Sequence, residues 1–221
     1  MGARAASLAT VLLALDTATP AVTVAVADGA QVLAERTEVD ARRTGELLAP
    51  AIAAVLAEAG VDRRALTSVA VGVGPGPFTG LRVGIVTART MGAVLGIPVV
   101  GVCTHDHFAL AAQLDGVFRV VTDARRKEVH WAQYVAAGAG LPQRQDGPHV
   151  DKPAAVSFPG PAVGLGAEIY PEAFPDHRAP LHPSATALAR WVAAGGATLE
   201  PVPLYLRRPD AMQPQARKSV L

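Results

Sequence analysis

The stretch from Gly72 to Gly96, GVGPGPFTGLRVGIVTARTMGAVLG, constrains the fold more than any other part of the chain. An apolar run, Val69 to Val73, reads as a buried strand and is cut off by Gly74-Pro75-Gly76-Pro77. Glycines and prolines at that density end a strand and force a tight connection. A helical pattern follows, with Thr79 as the expected N-cap, because its hydroxyl can accept a bond from a first-turn amide. Gly80, Gly84, Ala88, Gly92 and Gly96 then recur at intervals of four. Residues four apart share a helix face, so one face is almost bare of side chains. Each interior glycine costs a helix about 1 kcal/mol relative to alanine, so the stripe implies close approach of another backbone. On the residues alone, approach to the chain's own sheet or a neighbouring helix is favoured over approach to a helix of another chain. A phosphate cradle is a third reading, but no Gly-Lys-Ser/Thr ending follows and the dinucleotide-binding spacing is missing.

At 221 residues the chain has room for one large or two small domains, and a 50% hydrophobic, 18% charged composition excludes a disordered chain. The net charge of +1 leaves no broad basic footprint for nucleic acid. A single cysteine, Cys103, excludes an intramolecular disulfide and suits the cytosol. Asp16 and Arg89 interrupt the longest apolar runs, so no membrane span is expected. Residues 1–10 show no periodicity and are expected to be a disordered, dispensable tail.

Val11 to Leu15, Ala21 to Ala27 and Gln31 to Val39 form a predicted antiparallel meander, with Asp16 at the first bend and Asp28-Gly29 as a turn signal. Leu47, Leu48, Ala51, Ile52, Val55, Leu56 and Ala59 recur at three and four, which predicts an amphipathic helix from Thr44 to Gly60. The Val69 strand, the glycine-striped helix and a strand over Ile97–Val102 complete a mixed sheet with helices on its faces. Thr104 is the expected cap of a helix to about Gln113. Strands are expected over Val117–Thr122 and Glu128–Val135 around Asp123-Ala124-Arg125-Arg126-Lys127. Residues 138–162 read as irregular, Val163–Ala167 as a short strand, Ser184 as the cap of a helix to about Ala194, and Pro203–Arg208 as extended. The second half thus weakly echoes the first. The expected organisation is a tail over 1–10, a first domain over 11–103, a smaller second domain over 104–208 and a tail over 209–221.

Asp16, at a strand end before Thr17 and Thr19, suits either a metal-bound phosphate or a cap on its own bend. His105 and His107 lie two apart on a predicted helix, point to nearly opposite faces and cannot chelate one ion; no metal site is expected. Cys103 ends an apolar strand and reads as buried and inert. No nucleophile elbow or triad is visible. Arg125, Arg126 and Lys127 read as a solvated turn, and Arg207, Arg208, Arg217 and Lys218 as a solvated end.

Leu13-Ala14-Leu15-Asp16-Thr17-Ala18-Thr19, then Gly74-Pro75-Gly76-Pro77-Phe78-Thr79-Gly80-Leu81-Arg82, then Asp123-Ala124-Arg125 with Glu128-Val129, then Leu204-Tyr205-Leu206-Arg207, occur in one order along the chain. Together they resemble the TsaB (YeaZ) family of bacterial proteins over most of residues 11 to 210; the second motif is the specific one. The resemblance implies an α/β, actin-like (ASKHA) ATPase fold of two ribonuclease H-like domains, each a mixed sheet flanked by helices. It implies a non-enzymatic, cytoplasmic subunit for N6-threonylcarbamoyladenosine at position 37 of tRNA. That subunit pairs with the catalytic TsaD, is joined by the ATPase TsaE, and touches tRNA only through the complex; alone, it can form a homodimer.

The resemblance assigns the partner surface to the helices over Thr44–Ala59 and Thr79–Leu95, through Leu47, Leu48, Ala51, Val55, Gly80, Gly84, Ala88, Met91 and Gly92. It thereby turns the glycine stripe outward, and Ala88→Arg is then expected to spare the fold and abolish pairing. Asp16, Thr17, Thr19 and Asp123 fall on the two phosphate loops. Ala18 stands where active members of the wider fold usually carry glycine, and the Asp123 turn lacks glycines, so the nucleotide site is implied to be degenerate and the isolated chain is expected not to hydrolyse ATP usefully. No tightly bound cofactor is implied; ATP or ADP with magnesium at the joint with the partner is left open. Thr44 stands where many relatives carry histidine. The alternative is an actin-like ATPase or small-molecule kinase using Asp16 and Asp123 around magnesium. An older label for relatives, glycoprotease, lacks a nucleophile or metal ligands here.

Overall fold

The computed structural model describes residues 10–138 and 140–206. The first sheet contains β1 (Val11–Asp16), β2 (Ala21–Asp28), β3 (Gln31–Val39), β4 (Ser68–Gly72) and β5 (Val99–Val102), in the order β3-β2-β1-β4-β5. β2 runs antiparallel to both neighbours, while β1, β4 and β5 are parallel. The second sheet contains β6 (Gly116–Asp123), β7 (Val129–Ala136), β8 (Gln143–Asp151), β9 (Ala162–Val163) and β10 (His177–Arg178), in the order β10-β9-β6-β7-β8. Read from its other edge, it repeats the plan of the first: an antiparallel meander on one side of the leading strand, parallel strands on the other. The ribonuclease H-like order thus occurs twice, and the protein has the actin-like fold.

β1 is apolar from Val11 to Leu15 because both faces of its sheet are covered. Leu13 and Leu15 point into one core with Leu48, Val55, Leu81, Ile85 and Ala88, beneath α1 (Thr44–Glu58) and α2 (Phe78–Leu95). Leu12 and Ala14 point the other way, into a core with Ala25, Ala70, Leu188 and Trp191. That second face is covered by α5 (Ala185–Ala193), whose N-cap Ser184 accepts from the Ala187 amide as its sequence position suggests. Small residues on β1, β2 and β4 let α5 sit close. The expected second domain over 104–208 is therefore not one packing unit. α5 returns to the first sheet, Leu199 pairs with Gly101, and the Leu204 amide donates to the Val73 carbonyl at 2.8 Å.

Several local expectations are corrected. α2 starts at Phe78 with Pro77 as N-cap and no side-chain cap, so Thr79 lies in the first turn. α3 (Thr104–Ala112) is capped by Cys103, because the Thr104 hydroxyl is engaged elsewhere. Within the stretch read as irregular lies β8, an edge strand. The strand expected over Val163–Ala167 is only two residues long; Gly164, at φ 108°, ends it and starts α4 (Leu165–Ile169). No helix among the described residues is long and apolar enough to cross a membrane.

The glycine stripe faces inward. A Cβ at Gly80 would overlap the Thr17 carbonyl oxygen, one at Gly84 the Thr17 hydroxyl, and one at Gly92 the Val99 side chain. The bare face lets α2 press against the end of β1 and against β5. Leu47, Leu48, Ala51, Val55 and Ala88 belong to the first core, Gly84 and Gly92 are buried, and Gly80 and Met91 are half-buried. Most of the residues expected to meet a partner thus line the inner faces of α1 and α2.

Candidate functional site

Asp16, the residue expected to lead a phosphate loop, is completely buried. Its Oδ1 accepts from the Ala18 amide at 2.6 Å, and its Oδ2 accepts from the Thr104 hydroxyl and from His107 Nε2, both at 2.8 Å. Thr104 Oγ1 in turn accepts from the Gly74 amide at 3.1 Å. Gly72 has to be glycine because a Cβ there would overlap the Asp16 carboxylate. Of the two readings of Asp16, the structure shows the cap on its own bend, and its other oxygen is engaged by α3.

The neighbouring loop residues are engaged as well. The Thr17 hydroxyl donates to the Gly80 carbonyl at 2.7 Å, and Thr19 Oγ1 accepts from the Ala21 amide at 3.2 Å. Asp123, at the end of β6, accepts from the Arg125 amide at 2.8 Å and lies 3.5 Å from its guanidinium. Between the two loops, Ala18, Thr19, Thr122, Asp123 and His182 enclose a space of only about 10 Å³, roughly one water molecule. A triphosphate does not fit that space.

Beside it lies a buried polar cluster that the sequence suggested only as a misleading histidine pair. His105 and His107 do diverge on α3, as helical spacing requires: His107 reaches Asp16, and His105 Nε2 meets the Thr122 hydroxyl at 3.0 Å. Burial holds the His105 imidazole well below its usual range, and pushes nearby His130 down to about 4. Tyr134 donates to Asp106 at 2.7 Å, and Arg144 lies 3.3 Å from the same carboxylate, yet burial still raises the Asp106 carboxyl. Cys103 is buried and its thiol is pushed up to about 12, mainly by burial, so it is not a ready nucleophile. Among the described residues, no group of three or more His, Cys, Asp or Glu is placed to hold a metal.

A second feature is the outer face of α1 and α2. α1 presents Gly45, Ala49, Pro50, Ala53 and Ala57, a flat and mostly apolar surface. α2 presents Phe78, Val86 and Val94, which are 46%, 60% and 79% exposed. The Phe78 ring stacks on Tyr205 at 5.5 Å and carries the Arg82 guanidinium 3.8 Å above it. Arg82 also donates to the Tyr205 hydroxyl at 3.1 Å. The two helices lie side by side on one face of the first sheet.

Two ribonuclease H-like sheets, with a buried and engaged Asp16 at the end of β1 and exposed apolar side chains on α1 and α2, define a protein of the actin-like fold. Comparisons with known proteins narrow this class. The family model described as "TsaD: tRNA N6-adenosine threonylcarbamoyltransferase" matches residues 31–198. An uncharacterized protein of Mycobacterium tuberculosis (strain ATCC 25618 / H37Rv) is 45% identical over 210 residues, covering 90% of this chain and 93% of that protein. The tRNA threonylcarbamoyladenosine biosynthesis protein TsaB of Escherichia coli (strain K12) is 32% identical over 171 residues, 73% of this chain and 74% of that one. Among solved structures, YeaZ from Pseudomonas aeruginosa superposes with a TM-score of 0.76 at 30% identity, covering 89% of this chain and all of that one. The chain belongs to the TsaB (YeaZ) family.

Proposed function

We propose that this chain is a non-catalytic subunit of the cytoplasmic machinery that makes N6-threonylcarbamoyladenosine at adenosine 37 of tRNA. It pairs with a TsaD-type catalytic subunit through the outer faces of α1 and α2. A TsaE-type ATPase joins the pair, and tRNA is reached only through the complex. The observation that carries the non-catalytic role is the state of Asp16: a carboxylate held by an amide, a hydroxyl and an imidazole, with no exposed surface, has little capacity left for a magnesium ion. Family membership supports the pathway. The exposed Phe78, Val86 and Val94 beside the flat face of α1 support a helix-on-helix partner. Without that partner, the same surface suits a second copy of the chain. No tightly bound cofactor is part of the reading, and ATP or ADP with magnesium belongs, if anywhere, at the joint with the partner. The kinase or ATPase alternative requires Asp16 to give up its present partners.

Reconstitution tests the reading. Purified TsaD-type and TsaE-type subunits from the same organism, given tRNA, ATP and threonylcarbamoyl-adenylate, are expected to modify adenosine 37 only when this chain is added. Equal modification without it contradicts the proposal.

A further inference from the structure

The second sheet carries a groove of about 630 Å³ at the end where β7 starts and β8 finishes. Lys127 reaches it from the β6–β7 turn, Lys152 and Pro153 from the connection after β8, and Ile169, Tyr170 and Glu172 from the end of α4 and the segment beyond. No lining residue belongs to α1 or α2, so the face assigned to the catalytic subunit does not use this groove. We propose that, within the assembled complex, the groove holds the phosphate backbone of the RNA substrate. The inference rests on the functional reading above, in which the complex acts on tRNA.

Charge is the first argument. Lys127 and Lys152 are both exposed, and among the described residues neither ammonium has a hydrogen-bond or ion-pair partner. Of the lining residues, Glu172 is the one carboxylate. Asp151, next to Lys152 in sequence, accepts from the Trp131 indole at 2.9 Å rather than from either lysine. The net charge of +1 over the whole chain excludes a broad basic footprint, but not two free cations on opposite walls of one groove.

The backbone that presents Lys127 is the second argument. Arg125, Arg126 and Lys127 lie in succession in the left-handed region, at φ 61°, 56° and 59°. Three consecutive non-glycine residues there are uncommon, and such conformations concentrate at functional segments. The turn sends Arg125 to a cavity beside the first sheet and Lys127 to the groove.

The walls between the two lysines are apolar. Ile169 is 45% exposed, Tyr170 is half-buried, and Pro153 and Pro171 flank them. Cations that track a backbone, beside an aromatic ring and other apolar surface against which bases can lie, are what sequence-independent binding of a nucleic acid strand requires. The groove is also far larger than a single phosphate group needs.

The test uses this chain assembled with the TsaD-type subunit of the same organism, and unmodified tRNA as the probe, with affinity measured by fluorescence anisotropy between about 50 and 200 mM salt. Lys127→Gln combined with Lys152→Gln is expected to leave the melting temperature and the pairing unchanged. It should weaken tRNA binding about tenfold and lower the slope of log affinity against log salt by roughly 1.4–1.8, two phosphate contacts at about 0.7–0.9 each. Arg63→Gln combined with Arg64→Gln removes the same charge from an exposed turn before β4 and should bind like the parent. A parent pair that does not form overturns the functional reading and this inference with it. A parent pair that binds tRNA, with a lysine variant that matches it in affinity and salt slope, overturns this inference alone. So does an arginine control that loses as much as the lysine variant.

Discussion

His107 donates from Nε2 to Asp16 Oδ2 at 2.8 Å, with both side chains fully buried, and so ties α3 to the end of β1. Removing the Asp16 carboxylate strands the Thr104 hydroxyl, the His107 imidazole and the Ala18 amide together. Breaking a buried pair in this way costs roughly 3–5 kcal/mol. Asp16→Ala is therefore expected to lose about that much in urea unfolding, with no change in phosphate release, because the parent chain alone should release none from ATP. Turnover that survives purification and vanishes in Asp16→Ala would contradict this account.

The histidine cluster gives stability a pH dependence. His105 and His130 have folded values below the unfolded 6.5, His130 at about 4. They are neutral when folded, and the unfolded chain takes up their protons first. Their contribution is present above pH 6.5 and is lost as pH falls through the folded values. Asp106 has the opposite sign: its raised folded value favours the folded state at low pH, and that gain disappears as pH rises through it. With two histidines against one carboxyl, urea stability should be lower near pH 5 than near pH 7.5, and His130→Gln should flatten the difference. A parent chain equally stable at both values would contradict the burial argument.

Gly84 sets two effects of opposite sign against each other. Alanine there gains about 1 kcal/mol of helix propensity. Its Cβ, however, meets the Thr17 hydroxyl, which is fixed by its bond to the Gly80 carbonyl, and the Leu15 side chain lies 3.4 Å away. Overpacking of this kind costs about 1–3 kcal/mol. Gly84→Ala is expected to lower the melting temperature; a stabilised variant would show that α2 can lift off β1.

Much of the fold was legible in the sequence. The meander over β1 to β3, the amphipathic α1 and the strand-helix pair around Gly72–Gly96 all carry strong periodicity or strong punctuation, and they form as read. β8 was not legible, because an edge strand with mostly exposed residues and an internal Gly147-Pro148 has neither alternation nor an apolar run. β9 and β10, at two residues each, are below any periodic signal. The glycine stripe faces inward, as the residues alone favour and against what the resemblance implies. Bare faces mark close approach without saying to what. Val86, 60% exposed on the side opposite the stripe, was the signal that could have settled it. The Asp16–His107 bond joins residues 91 apart, and no local pattern announces it. The expectations for residues 1–9 and 207–221 lie outside the described residues.

Ala88 is fully buried in the core beneath α2. An arginine there must bury an unpaired charge, so Ala88→Arg is expected to be insoluble or grossly destabilised, the reverse of what an outward stripe would give. An Ala88→Arg chain with near-normal melting would return the stripe to the surface.

The central claim is that the outer face of α1 and α2 is where this chain meets a catalytic subunit, and a sizing column tests it most directly. The parent chain and the TsaD-type subunit of the same organism should co-elute. Val86→Glu combined with Val94→Glu changes two side chains already 60% and 79% exposed, so the free chain should keep its melting temperature within experimental scatter. The account predicts that this variant elutes alone and no longer supports tRNA modification. A well-folded double variant that still co-elutes with its partner would contradict it.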